Sequence, residues 1–322
     1  MRKNLGMLAL IMAFWFTISF ITNILGPLIP DIIHNFNLSD LAMAGFIPTS
    51  FFLAYAIMSI PAGLLIDRFG EKPVLFGGFL MPFIGTILFA CMHTYPMLLA
   101  SSFIIGLGMA MLQTVLNPLQ RTVGGEENYA FIAELAQFMF GIASFLSPLV
   151  YTYLSTFLEQ YHGVNPQTDG AQAVSYFWGL MTAGCLVGMI LLKLIDSKRL
   201  LQISGILTII LLLSALFGSK EVAMIAFPAV GFSISMMYSI VFSLALNSAS
   251  QHHGSFAGIL CSAIVGGAGG PMIVSTLADA TSLRTGMLFI LVFVGYITFI
   301  GFWARPLINN KTVRLKDLFK QR

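Results

Sequence analysis

The sequence predicts an all-α membrane protein with about ten transmembrane helices. Only 9% of its 322 residues are charged and 57% are hydrophobic, whereas about 25% of the residues of a soluble protein are charged. The mean hydropathy is +0.89. Long runs are apolar all round instead of alternating with polar residues, which indicates helices and not the strands of a barrel. These observations exclude a cytosolic enzyme, a nucleic-acid-binding protein and a disordered chain.

The first half of the chain contains five apolar runs of about the length that a spanning helix needs, roughly 20 residues. The first run follows Arg2 and Lys3, as the apolar core of a signal peptide would. It is too long for such a core and lacks a small-residue cleavage site, so we expect it to remain as a span. The five predicted spans are approximately residues 6–28, 41–66, 74–92, 97–119 and 132–154.

The second half contains five further apolar runs. The glycine-rich stretch before Pro271 lies inside the ninth of them, where it predicts close helix packing and a kink. Cys91, Cys185 and Cys261 each lie inside an apolar run and form no CxxC pair, so we expect small core residues. The predicted spans are approximately residues 174–195, 200–217, 222–246, 256–277 and 287–303.

The basic residues predict that both termini lie in the cytoplasm. If the N-terminus is inside, the inner segments and the tail hold 14 of the 16 Lys and Arg residues, and the outer segments hold only Lys220 and Arg284. Cytoplasmic segments of membrane proteins carry such an excess of basic residues. We interpret the basic tail, residues 307–322, as part of this orientation signal and not as a specific binding patch.

An internal repeat predicts two related halves. Gly108 and Gly231 are 123 residues apart, and so are Pro148 and Pro271. The predicted domains are an N-terminal bundle of five spans (1–154), an outer connection (155–173), a C-terminal bundle of five spans (174–306) and the tail. At this offset, the partner of the first span would fall where the fifth span already lies. The first half therefore lacks its last helix, and the second half lacks its first.

The loop after the second span contains a spaced set of glycine and charged residues, Gly63, Asp67, Arg68, Gly70 and Lys72. Gly63 would allow a close approach of two helices. Asp67 would lie at the membrane edge, where it can pair with a cation or cap the N-terminus of a neighbouring helix. Such a contact could act as a conformational latch. The alternative interpretation is ordinary charge that sets membrane orientation. The spacing resembles the GxxxDRxGxK signature of the major facilitator superfamily.

Further segments, in the same order along the chain, resemble the bacterial fucose permease family of sugar:proton symporters and glucose/galactose transporters. They include SFFLAYAIMSIPAGLL in the second span, GLGMAMLQTVLNP in the fourth, ELAQ in the fifth and MYSIVFSLAL in the eighth. The resemblance implies major-facilitator-like helical bundles and transport by alternating access. Family members have about twelve spans. The resemblance aligns the end of family helix five directly with the end of helix seven, which implies that helices six and seven are missing.

A sugar presents hydroxyl groups to be matched by amides and hydroxyls, and a C–H side that suits an aromatic face. Such polar groups are costly in lipid and should face a cavity. The resemblance aligns Gln137 with a sugar-contacting glutamine and places Phe140 where the family has an asparagine. It also aligns Tyr238 and Trp15 with family aromatics, which could equally be packing residues. The candidate substrate-binding residues are Trp15, Asn23, Gln113, Asn117, Gln137 and Tyr238.

Proton coupling in the family that the chain resembles uses an aspartate on helix one and a glutamate on helix four. The matching positions here are Asn23 and Gln113, which cannot take up and release a proton. We therefore predict no proton coupling through the usual acids and no cofactor. Facilitated diffusion, or coupling to sodium through neutral oxygens, remains open. Glu134 is interpreted as a charge at a helix N-terminus, in preference to a coupling residue.

The leading hypothesis is a transporter of a monosaccharide such as fucose, glucose or galactose. We expect a multi-pass monomer in the lipid bilayer of a bacterial inner membrane, without a nucleic-acid partner. No nucleophile–base pair, paired carboxylates or nucleotide motif supports an enzyme, and the adjacent His252 and His253 do not favour a metal site. The alternative is an internally deleted, transport-defective protein or scaffold. Loss of a cavity-lining helix should leave a lipid-open cleft and unpaired polar groups.

Overall fold

The computed structural model describes residues 5–36, 41–162 and 168–313. Five long helices form its first part, and Gly70, with a φ of +81°, makes the tight turn between the second and the third. A short 3₁₀ turn, Glu126–Asn128, separates the fourth helix from the fifth. The helices are α1 (Leu5–Asn35), α2 (Leu41–Phe69), α3 (Glu71–Cys91), α4 (Tyr95–Gly124) and α5 (Tyr129–His162).

The second part contains eight helices because three predicted spans are each divided in two. Its helices are α6 (Thr168–Leu194), α7 (Ser197–Phe217), α8 (Lys220–Ile234), α9 (Met237–Leu246), α10 (His253–Ser262), α11 (Gly266–Ala280), α12 (Leu283–Leu288) and α13 (Ile290–Trp303). Within the predicted ninth span, a 3₁₀ turn at Ala263–Val265 lies just before the glycine-rich stretch. The predicted connection 155–173 is helical as far as His162 and again from Thr168.

The helices have the length and the surface of membrane spans. In the part of the chain that the structure describes, nine helical segments are long and apolar enough to cross a bilayer, and His253–Val265 is a shorter apolar helix. Large apolar side chains such as Phe76, Ile190 and Ile225 are 70%, 63% and 74% exposed. Lipid tails are as apolar as these side chains, so such a surface fits a bilayer. The prediction of about ten membrane helices is confirmed.

Two sets of helices pack among themselves and then against each other. In the first set, α4 contacts α2 and α3, and α1 contacts α5; in the second, α7 contacts α8 and α13, and α6 contacts α8. The two sets meet mainly where α5 packs on α6 and where α2 packs on α10. One apolar core, which includes Ile11, Trp15, Tyr55 and Leu116, joins α1, α2 and α4.

Small residues let α2 and α10 approach closely. A Cβ atom on Gly63 would lie 2.5 Å from the backbone oxygen of Gly254, and one on Gly258 would lie 2.4 Å from the backbone oxygen of Ser59. Real Cβ atoms do not come this near to another heavy atom. Glycine at these two positions is therefore required for the backbone spacing between the two sets of helices.

Candidate functional site

Aromatic side chains from four helices converge near the centre of the molecule. The ring of Trp15 on α1 meets those of Phe140 on α5 and Tyr238 on α9 edge to face, with centroids 6.3 and 6.4 Å apart. Phe140 also lies 6.1 Å from Trp178 on α6. We call these four residues the aromatic cluster. It draws on both sets of helices, because α1 and α5 belong to the first and α6 and α9 to the second.

Two polar atoms of the aromatic cluster make no well-formed hydrogen bond to any residue that the structure describes. The indole nitrogen Nε1 of Trp15 and the hydroxyl of Tyr238 are both buried and unpaired. The side chain of Asn117 lies beside that hydroxyl, but its amide nitrogen donates to the backbone oxygen of Gln113 at 2.8 Å. A buried polar group without a partner costs about 1–3 kcal/mol. A ligand with hydroxyl groups could supply the missing partners.

Three of the predicted amides are buried in the same part of the molecule. Gln113 and Gln137 are each 5% exposed, and Asn117 is 1% exposed. Gln137 precedes Phe140 by three positions on α5, so the two side chains share one face of that helix. This placement is compatible with a polar site around the aromatic cluster, in which these three amides stay predicted members.

Asn23 has a different environment from the other predicted amides. Its amide nitrogen donates to the backbone oxygen of Ser19 at 2.9 Å and to the hydroxyl of Ser144 at 2.8 Å. The hydroxyl of Ser19 in turn donates to the backbone oxygen of Phe140 at 2.6 Å. The amide nitrogen of Asn23 therefore links α1 to α5 through hydrogen bonds. The contact of Asn23 with substrate stays a prediction.

Asp67 of the predicted latch caps the N-terminus of α10. Its carboxylate accepts hydrogen bonds from the backbone nitrogens of Gly254 at 3.1 Å and Ser255 at 2.9 Å, and from the Ser255 hydroxyl. A carboxylate at this position also complements the partial positive charge of the helix end. Arg68 and Lys72 are exposed, and the Arg68 guanidinium lies over the Phe69 ring at 5.2 Å. The motif thus divides into a capping contact at Asp67, which is itself accessible to solvent, and an exposed basic edge.

A second polar network closes the same end of the molecule. Arg121, 6% exposed at the end of α4, donates from Nε to the side-chain oxygen of Asn247 at 3.0 Å and from Nη1 to Nε2 of His253 at 2.9 Å. The same Nη1 pairs with Glu126 at 2.9 Å. The sequence indicates Arg121 only as one of the basic residues that set the orientation of the chain in the membrane. No sequence pattern places it opposite Asn247 and His253.

Glu134 lies in an unexpected environment. α5 begins at Tyr129, so Glu134 lies beyond the first helical turn, where the field of a helix N-terminus is strongest. The residue is 0% exposed, and one carboxylate oxygen accepts a hydrogen bond from the Ser239 hydroxyl of α9. The other carboxylate oxygen is buried and has no well-formed hydrogen bond among the described residues; the Cys185 thiol also lies beside the carboxyl. The interpretation of Glu134 as a charge at a helix N-terminus is therefore wrong. It is a buried acid between α5 and α9.

An apolar cleft of about 1160 Å³ lies between α9, α10 and α13. Arg305 is among the residues that line it. Its walls are mostly aliphatic and aromatic, and they include Val241, Leu244, Phe256, Leu260, Tyr296, Phe299 and Trp303. Among residues 5–36, 41–162 and 168–313, no three His, Cys, Asp or Glu side chains converge as a metal site would need.

Comparison with known families gives the identity of the fold. The profile of the Major Facilitator Superfamily matches residues 11–310. The chain belongs to the Major Facilitator Superfamily. The Gly63–Lys72 motif resembles the superfamily's loop signature. The relatives found are transporters, not enzymes.

Two curated relatives support the predicted fucose and glucose/galactose permease family. A glucose/galactose transporter of Brucella abortus is 26% identical over 390 aligned positions, which cover 93% of this chain and 94% of the relative. This alignment is longer than the 322 residues of the chain, so the relative contains residues that the chain lacks. The L-fucose-proton symporter of Escherichia coli is 31% identical over 132 residues, 40% of this chain and 30% of the relative.

Solved structures show the same fold. A variant of the Escherichia coli fucose:proton symporter superposes with a TM-score of 0.75 at 16% identity, covering 94% of this chain and 99% of that chain. A second structure of a transporter with the same name, in the outward conformation, gives 0.75 at 18% identity over 92% of this chain and 98% of that chain. At such identities the likeness shows the fold alone.

Proposed function

We propose that this protein transports a monosaccharide of the fucose, glucose or galactose type across a bacterial inner membrane by alternating access. The proposal combines membership of a transporter superfamily with the names of the relatives, which are sugar transporters. Both termini would be cytoplasmic, as the distribution of Lys and Arg predicts. The protein would act as a monomer surrounded by lipid.

The observation that carries the proposal is the pair of unpaired polar atoms in the aromatic cluster. Nε1 of Trp15 can donate, and the hydroxyl of Tyr238 can donate and accept, yet neither makes a well-formed hydrogen bond within the described residues. The rings beside them offer apolar faces. A pyranose has hydroxyl groups at its rim and C–H groups on its faces, so it matches both features. Gln113, Asn117 and Gln137 would contribute further amide contacts, and Asn23 would lie at the edge of the site.

Alternating access requires contacts that close one end of the molecule and can break. Two such contacts lie at the end that we predict to face the cytoplasm: the Asp67 cap on α10 and the Arg121 network. Both join the first set of helices to the second. We propose that residues 1–154 and 174–306 are the moving units, and that Gly63, Asp67, Arg68, Gly70 and Lys72 form the latch between them.

A second candidate function is a defective transporter or membrane scaffold that has lost two helices. The cleft between α9, α10 and α13 favours it, because the loss of a helix from the second bundle should leave a groove open to lipid. The unpaired groups on Trp15 and Tyr238 fit this hypothesis too, since a missing helix would remove their partners. Transport measurements distinguish the two functions.

The direct test is counterflow of labelled L-fucose, D-glucose and D-galactose in liposomes that contain the purified protein. We expect exchange of at least one sugar. Gln137→Ala should lower the exchange at subsaturating sugar about tenfold, because it removes a buried amide contact worth about 1–1.5 kcal/mol. Gln251→Ala, in an exposed loop, is the matched control and should exchange like the unmodified protein.

Two outcomes would contradict parts of the proposal. Exchange that is unchanged in Gln137→Ala would remove Gln137 from the site. A folded protein that exchanges none of the three sugars, and whose Tm does not rise in their presence, would support the scaffold function instead.

A further inference from the structure

Glu134 is a buried acid that the sugar site does not use. It lies on α5, in the first set of helices, and is 0% exposed. Its partner Ser239 lies on α9, in the second set, and donates to one carboxylate oxygen. The second carboxylate oxygen is buried and accepts no well-formed hydrogen bond from the described residues. One oxygen of the acid is thus held across the boundary between the two sets, and the Cys185 thiol is the other hydrogen-bonding group beside the carboxyl.

The groups that the described residues place beside the carboxyl are uncharged. They are the Ser239 hydroxyl and the Cys185 thiol of α6, and Gly188 of α6, where a Cβ atom would lie 3.0 Å from the unpaired oxygen. Lys193, further along α6, donates to Asn128 and lies over the Phe131 ring. A carboxylate buried among neutral groups is costly, by several kcal/mol. Protonation removes this cost, so the packing favours the neutral acid.

The acid and the proposed sugar site occupy neighbouring positions on both helices. On α5, Glu134 and Gln137 are three residues apart and lie on one face. On α9, Ser239 directly follows Tyr238. A movement of α9 away from α5 would therefore separate Glu134 from Ser239 and displace Tyr238 at the same time. This arrangement gives a physical link between the charge of the acid and the state of the site.

We propose that Glu134 is a proton-binding site that couples the movement of sugar to the movement of a proton. This proposal rests on the transport function proposed above. When α5 and α9 are in contact, the carboxyl is neutral and holds one proton on an oxygen. When they separate and water enters, the O–H bond breaks, the proton passes to water and the carboxylate becomes solvated. The coupling acid thus lies on α5, and not at the positions of Asn23 and Gln113 that the family resemblance indicates.

The test compares two assays of the purified protein in liposomes. In the first, an inward proton gradient should drive accumulation of the transported sugar in the unmodified protein. Glu134→Gln keeps the shape but cannot release a proton, so accumulation should fall to the equilibrium level, while counterflow should slow by less than about tenfold. Glu127→Gln is the matched control, because Glu127 is an exposed acid paired with Lys311, and it should accumulate sugar normally.

A second measurement needs no transport and therefore separates this proposal from the proposed function. The infrared carbonyl band of a protonated carboxyl should be present at neutral pH in the unmodified protein and in Glu127→Gln, and lost in Glu134→Gln. Ser239→Ala should retain the band and shift the pH at which it disappears. This variant also keeps the question testable if Glu134→Gln does not fold.

Each outcome has one meaning. Gradient-driven accumulation in Glu134→Gln, accumulation that depends only on sodium, or a carboxyl band that survives in Glu134→Gln would overturn the proton site. Absence of counterflow with any sugar, together with the expected loss of the band, would overturn the transport function and leave the proton site standing.

Discussion

Hydrogen-bond partners distinguish amides that have the same chemistry. The side chain of Asn23 donates to Ser19 and Ser144, so an aspartate at this position would place an acceptor against the Ser19 carbonyl oxygen. An amide suits this contact between α1 and α5 better than an ionised acid does. The amide at position 23 thus has a structural role that is independent of coupling.

The hydroxyl of Tyr238 gives a test at the scale of one atom. Tyr238→Phe keeps the ring in the aromatic cluster and removes only the unpaired hydroxyl. We expect the KM for the transported sugar to rise about five- to tenfold, because one hydrogen bond to the sugar is lost, with little change in Tm. Tyr296→Phe on α13, 66% exposed, is the control. Equal KM values for the two variants would exclude the Tyr238 hydroxyl from the site.

The residue types at the candidate site could be predicted from the sequence, but some of their neighbours could not. Trp15 and Tyr238 could be chosen as candidates because each matches a family aromatic. Trp178 lies close to the junction where the family pattern is interrupted, so no motif indicated it. The burial of Glu134 depends on Ser239, more than a hundred positions away in the chain, and no spacing rule encodes such a contact.

At the scale of helices, the contact of α2 with α10 depends on the absence of side chains. The backbone oxygen of Gly254 lies where a Cβ atom of Gly63 would be, and that of Ser59 lies where a Cβ atom of Gly258 would be. The Asp67 cap on α10 is made at the same contact. Spacing and capping therefore act together, and a change at Gly63 should weaken both.

Two glycine substitutions on α2 should have opposite effects. Gly63→Ala would push α10 away, at a cost of about 1–3 kcal/mol, the usual range for overpacking. Gly45→Ala meets nothing within 4 Å and should raise helix stability by roughly 0.5–1 kcal/mol. We expect the Tm in detergent to fall for Gly63→Ala and to rise slightly for Gly45→Ala. A Gly63→Ala protein as stable as Gly45→Ala would show that the helices are not in close contact.

The existence of the helices follows from hydropathy, whereas their interruptions do not. Long apolar runs predicted the spans because backbone groups in lipid must be satisfied within a helix. The divisions at Ser235–Met236 and Ala263–Val265 occur within continuous apolar runs, so hydropathy does not detect them. The glycine-rich stretch did predict a kink in the ninth span, and the 3₁₀ turn lies immediately before it.

At the scale of the whole molecule, two sets of helices pack around the aromatic cluster and its buried amides. In the part of the chain that the structure describes, no ion pair lies among these residues. The polar contacts that join the sets at the predicted cytoplasmic end are the Asp67 cap and the Arg121 network. The helices α5 and α6 are consecutive and packed together, although they belong to different sets. The internal repeat predicts this division, which transport by alternating access requires.

The most direct test of this account is the side of the membrane on which three loops lie. Single cysteines would replace Lys72, Lys198 and Arg284 in a protein without Cys91, Cys185 and Cys261, and an impermeant thiol reagent would be added to intact cells or to inverted vesicles. We expect positions 72 and 198 to be labelled only in inverted vesicles, and position 284 only in intact cells. Labelling of positions 72 and 198 from opposite sides would contradict the two-bundle arrangement and the solute pathway between the bundles.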